Sequence, residues 1–455
     1  MKYLLMFLLL NASVVQAKWG VQQNTDSLQR FSKKVLNDSS EFTADLELRT
    51  RAELRNGFRQ LRSDTSYPAI FISQRSRLSL GYKRNRFAAA LSLQDIRTWG
   101  MYDPRSNSGT LQVFEAWAEP FFTKNLSLRI GKQRLMLDNQ RLFAQNDWRN
   151  NGGTHDAVNL IYVAEHVESQ TLFAWNQTTE NNFYTDFNPS GFNNYKSLLV
   201  NFLKWKSKSK KLVVTSINYY EGFQYVGNNT KNAYRRTEYQ NFRYTNGGRI
   251  EYTRAKWYFT LAGFLQWGHN QVGKKLFAFY VQPEVKYSLK KTEFKLGAEV
   301  KSGNNLLAKD SWATDYDHAF QYPYGVAHRF NGTMEYFASG YPGSSKDVGL
   351  INPYFFIEQK IGEKLVLSLQ THLFYSQFIA FDTKAKKAAE HNYLGLESDF
   401  LASYRPNKFT KIEIGISTML ADKALEIVSS GSAAYLPYWS YVQATFTPKL
   451  LNIKK

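Results

Sequence analysis

From Phe42 onward the chain alternates apolar and polar residues with a period of two, and it keeps this texture almost to its end. In Phe42–Arg55, Ala44, Leu46, Leu48, Ala52 and Leu54 share one face. Asp45, Glu47, Arg49, Arg51, Glu53 and Arg55 share the other. A helix would need an apolar period of 3.6, so this run is a strand. A face with this much charge cannot be buried in an apolar core. The pattern recurs: Arg75 and Arg77 oppose Ile72, Leu78 and Leu80, and Arg243 and Arg249 oppose Phe242, Tyr244, Ile250 and Tyr252. Glu293, Lys295, Glu299 and Lys301 oppose Phe294, Leu296 and Val300, while Lys411 and Glu413 oppose Ile412, Ile414 and Ile416. A Lys or Arg facing lipid at the bilayer midplane costs about 2–4 kcal/mol. Dozens of charges on that side are prohibitive, so they face water inside and the apolar faces look out at lipid.

The connections fix the architecture. Lys83–Arg86, Thr123–Asn125, Leu289–Lys291, Gly362–Lys364 and Arg405–Asn407 are tight and polar. Between them lie long Gly-, Asn- and Tyr-rich stretches: 56–69, 98–112, 134–154, 177–195, 221–237 and 302–349. Short and long links alternate, as in a closed meander with brief periplasmic turns at one end and long extracellular loops at the other. Counting by this rule, with Met334–Phe337 assigned to a long loop, gives about 18 strands, most of a length that suits a tilted crossing of a bilayer. The expected fold is all-β, a transmembrane antiparallel β-barrel of about 18 strands.

Composition and the N-terminus agree with export. Met1–Lys2, an apolar Tyr3–Leu10 and Val15-Gln16-Ala17 predict a signal peptide over residues 1–17. Residues 18–41 read as a polar periplasmic lead-in and 42–447 as the barrel. No run is long and apolar enough for a transmembrane helix. Mean hydropathy is negative, which barrels tolerate because their strands mix apolar and polar residues one for one. Aromatics make up 16% of the chain, enough for interfacial girdles. Lys plus Arg exceed Asp plus Glu, 58 to 38, a balance that calls for an anionic partner. With no Cys, thiol catalysis, thiolate metal sites and disulfides are excluded.

The stretch Val113–Tyr162 carries the most specific pattern. A strand with Glu115-Ala116-Trp117 and Glu119 precedes a tight turn, and Leu126, Leu128 and Ile130 then alternate with Ser127, Arg129, Gly131 and Gln133. A loop with Arg134, Arg141, Asp147, Trp148 and Arg149 follows, and Asp156–Tyr162 opens the next strand. The sequences FEAWAEPFFTKNLSLRIGKQRL, NQRLF and DWRNNGGTHDAVNL resemble those of the alginate-export family of outer-membrane porins. QRSRLSLGYKRNRFAAALSLQDIRTWG before them and DHAFQYPYGVAHRFNGTMEYF after them look related too. The resemblance implies an 18-stranded barrel that passes an acidic polysaccharide through an arginine-rich lumen. The positions it points to are Arg75, Arg77, Arg129, Arg134, Arg141 and Arg149.

Pore-lining candidates are therefore Arg49, Arg51, Arg75, Arg77, Arg129, Arg134, Arg141, Arg149, Arg243 and Arg249. A guanidinium fork binds carboxylate in bidentate fashion and stays charged at any relevant pH. The bland reading is that these arginines pair with nearby acids and fill the lumen. It competes evenly at Arg49, between Glu47 and Glu53. Arg75 and Arg77 favour the functional reading, because no acid lies between Ile70 and Asn85. The loop arginines 134, 141 and 149 either fold inward as a constriction or stay at the rim, solvated or on lipopolysaccharide phosphates. His155-Asp156 suggests a dyad but reads as structural at a strand start, and the Lys204–Lys211 run reads as a solvated turn.

With no G-x-S-x-G, H-E-x-x-H or nucleotide motif, the expectation is a non-enzymatic protein without metal or cofactor. The expected protein is an outer-membrane porin passing anionic, alginate-like polysaccharide or oligosaccharide passively. Its partners would be that glycan, outer-membrane lipid and lipopolysaccharide, and periplasmic export or uptake components, with no nucleic acid. The alternatives are a general anion-selective nutrient porin, a plugged surface-binding (adhesin) barrel, and a barrel-embedded lipase.

Overall fold

The computed structural model describes residues 40–101, 111–182, 187, 195–224, 240–337, 347–382, 385–429 and 431–454. The signal peptide and nearly all of the lead-in fall outside the described residues. The wall begins with β1 (Ser40–Asn56), β2 (Ala69–Arg84), β3 (Phe87–Thr98), β4 (Gln112–Pro120), β5 (Leu126–Gln133) and β6 (His155–Val163). It continues with β7 (Val167–Trp175), β8 (Ser197–Lys206), β9 (Leu212–Gln224), β10 (Gln240–Arg254), β11 (Trp257–His269) and β12 (Lys275–Ser288). Then come β13 (Thr292–Lys301), β14 (Leu350–Ile361), β15 (Leu365–Tyr375), β16 (Tyr393–Asn407), β17 (Thr410–Ala421) and β18 (Tyr438–Phe446).

Each strand pairs antiparallel with the next, and β18 pairs back onto β1 from Asn56↔Tyr438 to Leu48↔Phe446. The barrel is closed, with 18 strands. The seam runs past the point where the sequence pattern ends. After a break at Thr447-Pro448 the chain resumes as Lys449–Lys454 alongside Glu41–Asp45. Leu46 N–H donates to the Pro448 carbonyl across the break (3.2 Å). Proline has no N–H to offer a ladder, which is why the irregularity sits there.

The outward residues form a band between two aromatic belts. On β11, Trp257 and Trp267 both face outward and are about half exposed, with Phe259, Leu261 and Leu265 between them. At about 3.3 Å per residue and a tilt of about 40°, their separation spans about 25 Å of height, the thickness of a barrel's apolar band. Trp205 and Tyr252 continue the belt at the turn end, and Trp175 and Tyr244 the belt at the loop end.

The interior is not an open cylinder throughout. The 134–154 connection and residues 319–337 of the 302–349 connection turn back into the loop half of the barrel and pack there against the wall. One apolar cluster joins Leu135, Leu142 and Phe143 with Tyr219, Phe264 and Tyr324. A second joins Met334, Tyr336 and Phe337 with Phe374, Leu425 and Trp439. Met334–Phe337 thus lies in a long loop, and it is apolar because it is buried in the lumen. Gly131 shows how close the backbones come: at φ +122°, a Cβ there would stand 2.3 Å from the Ala116 carbonyl oxygen. Only glycine fits this stretch of the β4–β5 pair.

The inside-out assignment has a direct test. Leu261→Lys, at mid-height on the outward face, is expected to lower unfolding free energy in lipid by about 2–4 kcal/mol. Gln170→Lys, inward beside Glu168, is expected to change it by less than about 0.5 kcal/mol. Urea titration in liposomes checks both.

Candidate functional site

Register creates the first cluster. The β1–β2 ladder sets Arg49 opposite Arg75 and Glu47 opposite Arg77 on the inner face, with Arg51 two residues further along. Three guanidinium groups this close repel one another unless a counter-charge arrives. It comes from the 134–154 loop. Arg75 donates from Nη1 and Nη2 to the two Asp147 carboxylate oxygens (2.8 and 3.1 Å) and from Nε to Glu47 Oε1 (2.8 Å). Arg77 donates to Asp147 Oδ1 (3.3 Å) and to Gln94 Oε1 (2.8 Å), and its guanidinium lies 3.6 Å from the centre of the Phe114 ring. The absence of local acids around Arg75 and Arg77 therefore does not leave them free. The ladder and the returning loop supply partners from 28 and 72 residues away along the chain.

Arg49 is satisfied differently. It donates to the Asp147 carbonyl (2.5 Å), the Arg149 carbonyl (3.2 Å) and Asn150 Oδ1 (2.8 Å). Among the described residues it has no carboxylate in direct contact. Arg51 pairs with Glu53 (2.8 Å), donates to the Trp148 carbonyl (3.0 Å) and stacks over the Trp148 ring at 4.3 Å. Burial works against ionisation of Asp147, but Arg75, Arg77, Arg49 and Arg134 outweigh it and hold its carboxyl below the usual carboxylate range.

The same logic runs round the lumen. Arg141, fully buried, meets Glu299 (2.7 Å) and Asn331 Oδ1 (2.8 Å) and stacks over Tyr322 at 3.8 Å. Arg243 binds Glu221 through two 2.7 Å bonds, and Tyr324 of the second loop donates to the same carboxylate (2.6 Å). Arg249 binds Asp138 of the first loop in bidentate fashion (2.8 and 2.6 Å). Arg129 pairs with Glu119 (2.6 Å) under the face of Trp117, and Arg134 pairs with Glu115 (2.7 Å). Arg149 alone among the ten candidates is exposed, and its side chain meets no described acid. Eight of the others are buried and Arg134 is half-buried. Arg134 and Arg141 thus point into the barrel, while the Arg149 side chain is exposed.

Sequence reasoning missed the acids that complete the site. Asp138 and Asp147 lie inside the Arg-rich loop, and their alternation with arginines was the available signal. Glu397 and Asp399, inward on β16, grip the second loop: Glu397 accepts from Met334 N–H (2.8 Å) and Asp399 from Thr333 N–H (3.3 Å). Gly332, at φ +78°, lets the loop come this close, since a Cβ would meet the Glu397 carboxylate. The two loops also lock to each other, with Trp148 stacked on His328 at 4.3 Å and His328 3.3 Å from Glu335. His155 is buried and bonded to the Tyr195 hydroxyl (2.8 Å), whereas Asp156 points outward, so the adjacent pair is no dyad. Among the described residues no group of His, Asp and Glu is placed to hold a metal ion.

A closed barrel whose inner wall and returning loop carry this Arg–carboxylate set can be placed among known proteins. The family model described as alginate export matches residues 41–421. The chain belongs to the alginate-export family. Solved structures share its fold at low identity. OpdK of Pseudomonas aeruginosa, determined with vanillate, aligns at TM-score 0.57 and 10% identity over 91% of this chain and 100% of that one. OpdO of Pseudomonas aeruginosa aligns at 0.60 and 11% over 90% and 98%. OccAB1 of Acinetobacter baumannii aligns at 0.59 and 12% over 92% and 98%. No curated protein sequence matches the chain significantly. Family and fold together make this alginate-export family member an outer-membrane channel protein.

Asp147→Asn strips the counter-charge from Arg75 and Arg77 while keeping the side-chain shape. Breaking a buried pair in this way costs about 3–5 kcal/mol. The 134–154 loop is expected to loosen, read as faster amide exchange across residues 142–150 and a noisier, larger single-channel conductance.

Proposed function

We propose that the channel passes anionic polysaccharide or oligosaccharide, alginate-like in bearing one carboxylate per sugar, passively through its arginine-lined lumen. The observation that carries this reading is the Arg49–Arg51–Arg75–Arg77 patch, where guanidinium groups outnumber the carboxylates that answer them. A glycan carboxylate arriving there competes with Asp147 for the same planar forks. Each site exchanges one carboxylate for another, so binding is favourable enough for the chain to enter and weak enough for it to leave. Arg149, the exposed one among the ten candidates, is free to make the first contact. Transport follows the gradient of the glycan.

The two returning loops favour a second reading, a barrel closed at rest whose exposed loops bind a surface ligand. Single-channel recording separates the two. In a planar bilayer an anion-selective open channel is expected, blocked by added oligomannuronate, with Arg149→Gln weakening the block about two- to fivefold, as for a solvent-exposed ion pair. Open conductance without block leaves a general porin for small anions. A silent barrel leaves the surface-binding protein.

A further inference from the structure

The eight short connections have a charge pattern unlike the loop end. Taken as residues 84–86, 121–125, 164–166, 207–211, 254–256, 289–291, 360–364 and 405–409, they expose fourteen Lys and Arg side chains and two acids, Glu165 and Glu363. None of the fourteen forms an ion pair with a described residue. At the loop end the described residues mix signs, with Lys309 beside Asp310 and Asp315, and Lys386 and Lys387 beside Glu390.

Cations stand on seven of the eight connections, all but 164–166, and two strand spacings are about 10 Å, close to the screening length at physiological salt. Fields of neighbouring turns therefore overlap into a positive collar at the mouth, interrupted at Glu165. The collar lies beyond the apolar band. Lys208, Lys210, Lys256 and Lys290 sit in the turns themselves, past the outward belt of Trp205, Tyr252 and Trp257. Of the cations at strand ends, Lys360 and Arg405 share the inward parity of their strands, and Arg84 and Arg254 the outward parity. Inside the mouth, Lys286 pairs with Glu293 (3.3 Å) and Lys204 stands opposite Glu168 on the β7–β8 ladder, whereas the collar cations have no such partner among the described residues.

We propose that this collar is a second polyanion-binding site, separate from the arginine patch of the lumen, that captures a linear acidic glycan at the turn-end mouth. The inference rests on the function proposed above. A polymer lying across the mouth meets several cations at once, so many weak contacts add up without any single deep well. Capture then acts on the association rate, and screening by salt weakens it.

The test uses the full-length protein inserted in one orientation in a planar bilayer, with oligomannuronate added to one side at a time. Block from the turn side is expected to have an on-rate about tenfold above block from the loop side in dilute salt, and to fall steeply as salt rises. Replacing Lys208, Lys210, Lys211, Lys290 and Lys291 with Gln is expected to bring the turn-side on-rate down to the loop-side value, leaving conductance and off-rate unchanged. Equal on-rates from both sides in the unaltered protein overturn the collar and leave the luminal function standing. No block from either side overturns both. An unchanged on-rate in the five-fold variant, together with poorer insertion into bilayers containing phosphatidylglycerol, overturns the collar in favour of lipid anchoring.

Discussion

Everything in this molecule depends on the requirement that backbone N–H and C=O groups in lipid find partners within the protein. A sheet of 18 strands meets it only by closing, and closure depends on the pairing of β18 with β1. The pairing joins residues nearly 400 positions apart, and the Lys449–Lys454 segment extends it along the first residues of β1. Once the sheet is closed, the period of two has no freedom left. Odd and even residues are committed to water or to lipid, and a slip by one residue would put Arg49, Arg51 and their neighbours into hydrocarbon. The charged interior is thus a consequence of closure plus alternation.

That interior then sets the position of the loops. Arginines fixed on the wall need carboxylates, and the wall does not carry enough of them in the right places. Asp138 and Asp147 supply the missing charges from the first loop, while Glu221, Glu299, Glu397 and Asp399 on the wall hold tyrosine, asparagine and backbone groups of the second. Buried pairs of this kind add little net stability, because desolvation offsets most of the attraction, yet losing one partner is costly. Their role is therefore positional. They hold the loops in one arrangement against the wall.

The wall was legible in the sequence, and the interior only in part. Alternation and the order of short and long links are local signals, so strands such as Leu212–Gln224 and Thr410–Ala421 begin where the pattern says. Parity also put Arg49, Arg51, Arg75, Arg77, Arg129, Arg243 and Arg249 on the inner face. What could not be read was which acid meets which arginine. Arg75 looked unpaired because Asp147 is 72 residues away, and nothing local encodes the return of a loop. Met334–Phe337 shows the same limit: an apolar, β-prone run is the same string whether it crosses a membrane or packs into a lumen. The seam past Pro448 lies beyond the barrel boundary read at residue 447, because the proline interrupts the alternation there.

The two cation sets differ in chemistry as well as place. The luminal candidates are all arginine, and eight of the ten are held in desolvated sites where a rigid fork keeps its geometry and charge. The collar is mostly lysine, on turns where hydrated, flexible ammonium groups remain in water. A fork in a dry site discriminates by geometry, whereas an ammonium in water acts by charge alone and at longer range. A polyanion approaching from the turn end would thus be gathered first by unspecific charge and read afterwards by arginines that already hold a carboxylate. Reversing the two sets would place strong bidentate sites at the mouth, where an anionic chain would stall, and soft point charges at the constriction, where they would read no geometry.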